Sequence, residues 1–291
     1  MREITCQNED GMSVTFGNTF SPFLLEDCDG IYEVSNKVAI SDNSMLDGAT
    51  YLGSVVKMRN IVLTLRDRPN SDHQANRVLL YGLFKPKSPG TFIYREGATA
   101  RTINYYVESV RIDGALRARQ AVVSLLCPDP LFSALSELRV TMAAWNALWE
   151  FRHEFVAGGE EFGTRAQEKL RTIENYGAVD NIGMEITITA AGPVMNPSIT
   201  HVEKAETIKI GTENNPLEMA IGEKIIILTG SSNKHVYLLR DGVRTEINEY
   251  LENDSVFIQL AVGANTIGYN ADTGSEYMMI DIAYRYKYLG V

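Results

Sequence analysis

The sequence predicts a mainly β protein in two parts, the first of which carries one helix. Three observations predict it. Short apolar runs with period-two alternation recur, as in Met184–Ala190, where Met184, Ile186 and Ile188 alternate with Glu185, Thr187 and Thr189. Gly, Asn and Asp punctuate such runs at intervals of ~8–12 residues, the spacing of an antiparallel sandwich or jelly roll. A seam at Pro128–Ser136 divides the chain, because Pro128 and Pro130 cannot donate to a sheet ladder and the composition turns acidic beyond them.

Taken in order, "IYEVSNKVAI", "NIVLTLR", "INYYVESVRI" and "RQAVVSLLC" read as strands of the first part. Between them "SDHQANRVLLYGLF" reads as a helix. Ser71 is placed to cap it, Asp72 suits its first turn, and Ala75, Val78, Leu79 and Leu83 share one face; "KPKSPG" then forbids its continuation. Glu26–Gly30, "EDCDG", lacks the further ligands of a calcium loop and reads as a turn.

Beyond the seam, "AAWNALWEFRHEF" sets Trp145, Trp149, Phe151 and Phe155 at odd positions, one face of an extended strand. "GTRAQEKLRTIEN" can open a helix through Thr164 and Gln167, but its place between β elements favours loop followed by strand, and the fold of residues 157–176 stays open. "EKIIILTG" and "SVFIQLAVGANTIGYN" read as short strands. Asp241-Gly242, flanked by two strand-like runs, predicts a hairpin with a type I′ turn. Near the end, Ile280, Ile282, Tyr284, Tyr286 and Tyr288 fall on one strand face, and Asp281, Ala283, Arg285 and Lys287 on the other.

At 291 residues, 45% hydrophobic and 22% charged, the chain has the make-up of a globular protein of one large domain or two ordinary ones. No apolar run approaches the ~20 residues of a membrane span. The N-terminus, "MREITCQNEDGM", has no apolar core of a secretory signal, so synthesis in a cytosol-like compartment is expected. The net charge of −10 is uneven: residues 1–135 carry −1 and the remainder −9. An acidic second half repels phosphate backbones, which argues against nucleic-acid recognition there.

No catalytic or metal motif emerges. Cys6, Cys28 and Cys127 never approach a C-x-x-C spacing, and His73, His153, His201 and His235 are equally dispersed. Cys127 ends an apolar run with only Asp129 nearby, the setting of a buried hydrophobe rather than an activated thiol. Adjacent Glu160 and Glu161 read as a solvated loop. "TGSSNK" lacks the spacing of a phosphate-binding loop, and no G-x-S-x-G is present. Neither a catalytic residue nor a cofactor is expected. Two features remain as candidate sites. Trp145 and Trp149 offer faces for ligand stacking, with a sandwich core as the simpler role. Arg59, Arg66, Arg68 and Arg77 cluster around a strand and the helix start, either as a solvated face or as a subunit-contact row.

An ordered series of segments runs through nearly the whole chain: "SPFLLEDCDGIYEV", "DGATYLGSVVKMRNIVLTL", "LLYGLFKPKSPGTFIY", "RTINYYVESVRI", "VVSLLCPDPLFS", "IENYGAVDNIGMEITITAAGPVMNPSI" and the terminal "YRYKYLGV". The series resembles the distal tail protein family of siphophages, the siphovirus-type tail component, with "CPDPLF" and Asn196-Pro197-Ser198-Ile199 the most telling pieces. The resemblance implies an N-terminal β-sandwich-like ring domain over residues 1–134 and a galectin-like antiparallel β-sandwich over residues 135–291. It further implies a homo-oligomeric ring, a hexamer, that joins the tail tube protein to the tail-tip or baseplate proteins. Such a protein resides at the virion tail tip, is made in the bacterial host cytoplasm, and has no catalytic activity, membrane insertion or sequence-specific nucleic-acid contact. The rival reading is a carbohydrate-binding module that grips host cell-surface glycan through Trp145 and Trp149; a glycan hydrolase using Glu160, Glu161 and Asp180 is a more distant third. The paired His–Asn–Arg arrangement of an active galectin is not seen in the sequence, and a fold does not carry its ligand with it.

Overall fold

A computed structural model describes residues 2–42, 47–69, 71–113, 119–147 and 163–291. It divides the chain into two compact units, Met1–Leu135 together with Lys287–Val291, and Ser136–Tyr286. The last five residues thus return to the first unit, whereas the sequence reading assigns them to the second.

The first unit comprises β1 (Arg2–Asn8), β2 (Ser13–Phe16), β3 (Phe23–Asp29), β4 (Asn36–Asp42), β5 (Ala49–Val56), β6 (Arg59–Asp67), α1 (His73–Leu83), β7 (Pro89–Glu96), β8 (Thr99–Ile112), β9 (Gln120–Cys127) and β10 (Phe132–Ala134). Its main sheet runs β2-β1-β7-β8-β9-β6-β3, every pair antiparallel. Strand β10 pairs with β8 on one side and with the returning Lys287–Tyr288 on the other. Alternation decides what is inside. Along β6 the residues Ile61, Leu63 and Leu65 are buried while Asn60 and Arg66 are exposed. The core gathers Ile4, Phe16, Phe23, Phe92, Val123, Leu125 and Phe132. Its rings meet in tilted and stacked pairs, Phe16 lying 5.8 Å from Phe23 and 6.4 Å from Phe84.

Helix α1 forms where expected, with two corrections. Its N-cap is Asp72, whose carboxylate accepts from the backbone N–H of Gln74 at 2.9 Å and of Ala75 at 3.3 Å. Ser71 sits one residue too early to cap. Its hydroxyl donates to the Arg68 carbonyl and accepts from Asn76. The helix also turns a different side inward, burying Asn76, Leu80 and Leu83, so Ala75 and Val78 are exposed. Asp67, at the end of β6, dictates this rotation by accepting from Asn76 at 2.9 Å and pairing with His73 at 2.5 Å. Residues 26–29 of the expected turn at 26–30 belong to β3, which carries a bulge between Leu25 and Asp27; only Gly30 turns.

The second unit comprises β11 (Leu138–Thr141), β12 (Ala143–Ala147), β13 (Gly163–Gln167), β14 (Leu170–Asn175), β15 (Met184–Ala190), β16 (Val194–His201), β17 (Glu206–Lys209), β18 (Glu218–Met219), β19 (Lys224–Gly230), β20 (Asn233–Arg240), β21 (Val243–Glu246), β22 (Gly263–Thr273) and β23 (Met278–Tyr284); the returning Lys287–Tyr288 is β24. One sheet runs β11-β23-β15-β19-β20-β21 and the other β14-β22-β16-β17, with β18 on β16 and β12–β13 as a separate ribbon. The buried faces of the two sheets supply one core. Ile186, Ile188, Ile225, Ile227, Ile280 and Ile282 come from the first, and Ile173, Val194, Ile199 and Ile267 from the second. Each such side chain contributes about 1.5–3 kcal/mol relative to exposure.

Here the local reading transfers well. Met184–Ala190 alternates buried and less buried as expected. Asp241 (φ 51°) and Gly242 (φ 76°) form the tight turn between β20 and β21. Residues 163–167 are strand rather than loop, and 170–175 are strand as favoured. The continuous terminal strand is corrected: β23 ends at Tyr284, and Tyr288 pairs with Phe132 of the first unit's β10. Inside the sandwich, buried Asn265 ties the loop before β22 to β16, accepting from Ala261 N–H at 2.8 Å and hydrogen-bonding His201 at 2.9 Å. Its amide donates to the Gly263 and Ala261 carbonyls. A buried polar pair is kept only when its hydrogen bonds are made in this way.

Candidate functional site

Strand parity places the most informative residue. Arg59 shares the inward face of β6 with Ile61 and Leu63, and is 5% exposed. A buried guanidinium is tolerated only if its donors are taken up. Here Nε donates to the Pro130 carbonyl at 2.9 Å, Nη1 to Gly30 at 2.5 Å and Glu33 at 2.6 Å, and Nη2 to Leu289. The group also lies over the Phe132 ring, 4.9 Å from its centroid. Burial pulls its pKa below the ordinary arginine value, against the opposing pull of Cys127 and Glu33.

Arg59 therefore pins the root of an arm. The link from Gly30 leads into β4 and β5, which among the described residues pair only with each other as a two-stranded ribbon, and Lys57 N–H donates to the Ser35 carbonyl at 2.8 Å. Gly30 has φ 80°, and a Cβ there would lie 1.9 Å from the Asn60 carbonyl oxygen, so the root requires glycine. A cleft of about 200 Å³ opens at this root, lined by Glu33, Val34, Val56, Met58, Asn60 and Pro130 among others. Every residue of β4 is exposed, as is every residue of β5 except Gly53. Directly opposed residues share a face, so Val38, Ile40 and Tyr51 lie together on one side of the ribbon.

The other candidate arginines are not gathered beside Arg59: β6 turns Arg66 outward, Arg68 lies beyond the end of the strand, and Arg77 is carried on α1. Arg66 is exposed and pairs with Glu26 at 2.6 Å. Arg68 donates to the carbonyls of Ser21 and Asn18, each at 2.7 Å, and so holds the chain before β3. Arg77 stands exposed on α1. The four do not form one row. The expected strand at Trp145 is present, with Trp145 opposite Arg165 in the β12–β13 ribbon; Trp149, Phe151, Phe155, Glu160 and Glu161 lie outside the described residues. Asp180 accepts from the Val262 N–H at 2.8 Å in an exposed turn.

The cysteines behave as core residues. Cys6, Cys28 and Cys127 are all buried; burial pushes the thiols of Cys28 and Cys127 up to about 12 and that of Cys6 well above its usual range. Among the described residues no group of His, Cys, Asp and Glu is arranged to hold a metal ion, and no helix is long and apolar enough to cross a membrane.

The chain is thus a two-unit, mainly antiparallel β protein with, among its described residues, one α-helix, a pinned β arm and no assembled catalytic constellation. Solved structures carry the comparison. The chain superposes on the Dit protein of phage SPP1, a paradigm of the hub adsorption apparatus of phages that infect Gram-positive bacteria, with TM-score 0.66 and 12% identity over 98% of each chain. It also matches a chain of the phage P2 baseplate in its activated conformation with Ca (TM-score 0.55) and the same baseplate with Sr (TM-score 0.52), each at 8% identity over the full length of both chains. At these identities the likeness shows a shared fold. No family model and no curated protein matches the sequence.

Proposed function

We propose that the chain is a structural hub protein of a phage or prophage tail, which assembles with copies of itself into a ring, a hexamer, between the tail tube and the tail-tip or baseplate proteins. The observation that carries this reading is end-to-end likeness to a phage hub protein, 98% of each chain at TM-score 0.66. A local match would support only one module; coverage of both units supports the whole role. The first unit, residues 1–134 with the terminal return, is the ring-forming domain, and the β-sandwich from residue 135 onward is the projecting one. The protein has no catalytic activity in this reading and resides at the virion tail tip.

Light scattering on a sizing column, over a range of protein concentrations and with electron microscopy of the heaviest peak, tests the proposal. Closed six-fold rings, or a mass climbing toward six chains, are the expected result. A strict monomer, together with failure to bind purified tail tubes, overturns it.

A further inference from the structure

Strands β19 and β20 break the alternation that neighbouring β15 obeys. Their inward residues Ile225, Ile227, Val236 and Leu238 fill the core of the second unit, as Ile186 and Ile188 of β15 do. The outward side of such a strand is ordinarily polar, and β15 presents Glu185, Thr187 and Thr189 there. Instead, β19 turns Ile226 and Leu228 outward, and β20 turns Tyr237 and Leu239 outward, all four part-exposed. Register makes them one island, because Ile226 stands opposite Tyr237 and shares its face. The island is two strands wide, ~5 Å, and one alternation long on each strand, ~7 Å. That is the footprint of a small molecule, far below the ~800 Å² that a protein partner covers.

The rim of the island is polar and held in place. The His235 ring stacks on Tyr237 with centroids 5.7 Å apart, and the Arg244 guanidinium lies 3.7 Å from the Tyr237 centroid. His235 precedes Tyr237 by two residues and Arg244 stands opposite Leu239, two residues after it, so the ring is clasped from both sides. Glu246 stands opposite Tyr237 on β21. One of its oxygens accepts from the Asn248 amide and hydrogen-bonds His235 Nδ1, each at 2.7 Å. Its other oxygen and the Arg244 guanidinium have no hydrogen-bond or ion-pair partner among the described residues. A fixed fork of donors and a fixed acceptor thus stand on one strand beside an apolar floor.

We propose that this face binds a neutral saccharide. A pyranose carries the matching chemistry: the C–H groups of one ring face meet apolar side chains, and its hydroxyls both donate and accept at the rim. Charges of both signs side by side select against an anion, which Glu246 repels, and against a cation, which Arg244 repels. The ring stack and the Asn248 bond fix the rim before binding, so little side-chain freedom is lost. The site shares no residue with the Trp145 and Trp149 candidate, and it stands independently of the hub reading.

Saturation-transfer NMR on the full chain tests it, with millimolar methyl glycosides of glucose, galactose and mannose as probes, followed by a printed array of neutral hexose oligosaccharides. The expected result is transfer to the C–H protons of one ring face of at least one probe, and array binding by the native chain. Arg244→Ala and Glu246→Ala should each weaken that binding on the order of tenfold or more. Both positions are exposed, so circular dichroism and melting are expected to match the native chain. Arg244→Lys should not restore binding, because an ammonium lacks the planar fork that lies on Tyr237. A native chain that gives neither saturation transfer nor array signal overturns the proposal. Binding that survives both alanine substitutions also overturns it, by assigning the sugar to another surface. Binding confined to phosphate-bearing glycans, and lost as salt is raised, overturns the neutral class. Ring assembly is read separately by light scattering, and none of these outcomes bears on it.

Discussion

The guanidinium of Arg59 donates to the backbone carbonyl of Leu289, 230 residues further along the chain, while its other donors hold Gly30, Glu33 and Pro130. One side chain thereby fastens three separate stretches of backbone, at 30–33, 130 and 289. Arg59→Ala leaves those carbonyls without their donor in a buried setting and is expected to cost about 3–5 kcal/mol, read from urea unfolding of the intact chain. Arg59→Lys keeps the charge but not the planar fork, and should recover less than half of the loss.

The terminal return makes a second prediction. Lys287 pairs with Asp129 at 2.6 Å, the Arg101 guanidinium lies 3.9 Å over Tyr288 and donates to the Gly290 carbonyl, and Val291 packs on the first unit's core. Deleting residues 287–291 should therefore destabilise the first unit, although the deletion falls at the far end of the sequence, by about 2–4 kcal/mol. Limited proteolysis with mass mapping checks this: cleavage should appear around β10 and the arm root, while fragments of the β15–β23 sandwich survive.

The thiols supply a third. With Cys28 and Cys127 raised to about 12 and Cys6 well above its ordinary range, all by burial, thiolate is scarce at pH 8 and reagent access is blocked. A thiol-reactive dye should label none of the three in the native protein within an hour, and all three in denaturant. Rapid native labelling of Cys127 would contradict its place at the end of β9.

Acid stability follows from two depressed carboxylates. Hydrogen bonding from Asn196, and then from Lys209, holds Asp272 below its usual range; hydrogen bonding from Arg240 does the same for Glu223. Each contributes stability that is present above the unfolded pKa of about 4 and is lost as pH falls through the lower folded value. Urea midpoints should be level from pH 7 to about 5 and fall below pH 4. Asp272→Asn should flatten that fall at the expense of some stability at pH 7.

Several parts of this fold were legible because their causes are local. The Asp241-Gly242 turn needs only two residues that accept positive φ, and Met184–Ala190 needs only its own alternation. The arm was not. Val38 and Ile40 alternate with Lys37 and Ala39 like a half-buried strand, yet no described residue covers them to the point of burial, and periodicity reports a face without saying whose core it meets. Arg59 was misplaced because charge suggests surface, whereas its register in β6 turns it inward; the alternation with Ile61, Leu63 and Leu65 was the signal that could have located it. The return of Lys287–Tyr288 rests on a two-residue pairing with β10, too short and too distant in sequence to leave a local trace.

That pairing has a consequence for modularity. Ser133 stands directly opposite Lys287, and Phe132 opposite Tyr288, so the strand that leaves the first unit and the strand that re-enters it are neighbours in one ladder. In chain order, the 136–286 stretch is an insertion between β10 and β24. The two joints lie one strand spacing apart, ~5 Å, so a segment whose termini are that close would meet the host ladder in register. The chain is in this sense a socket, its two joints set side by side in one ladder.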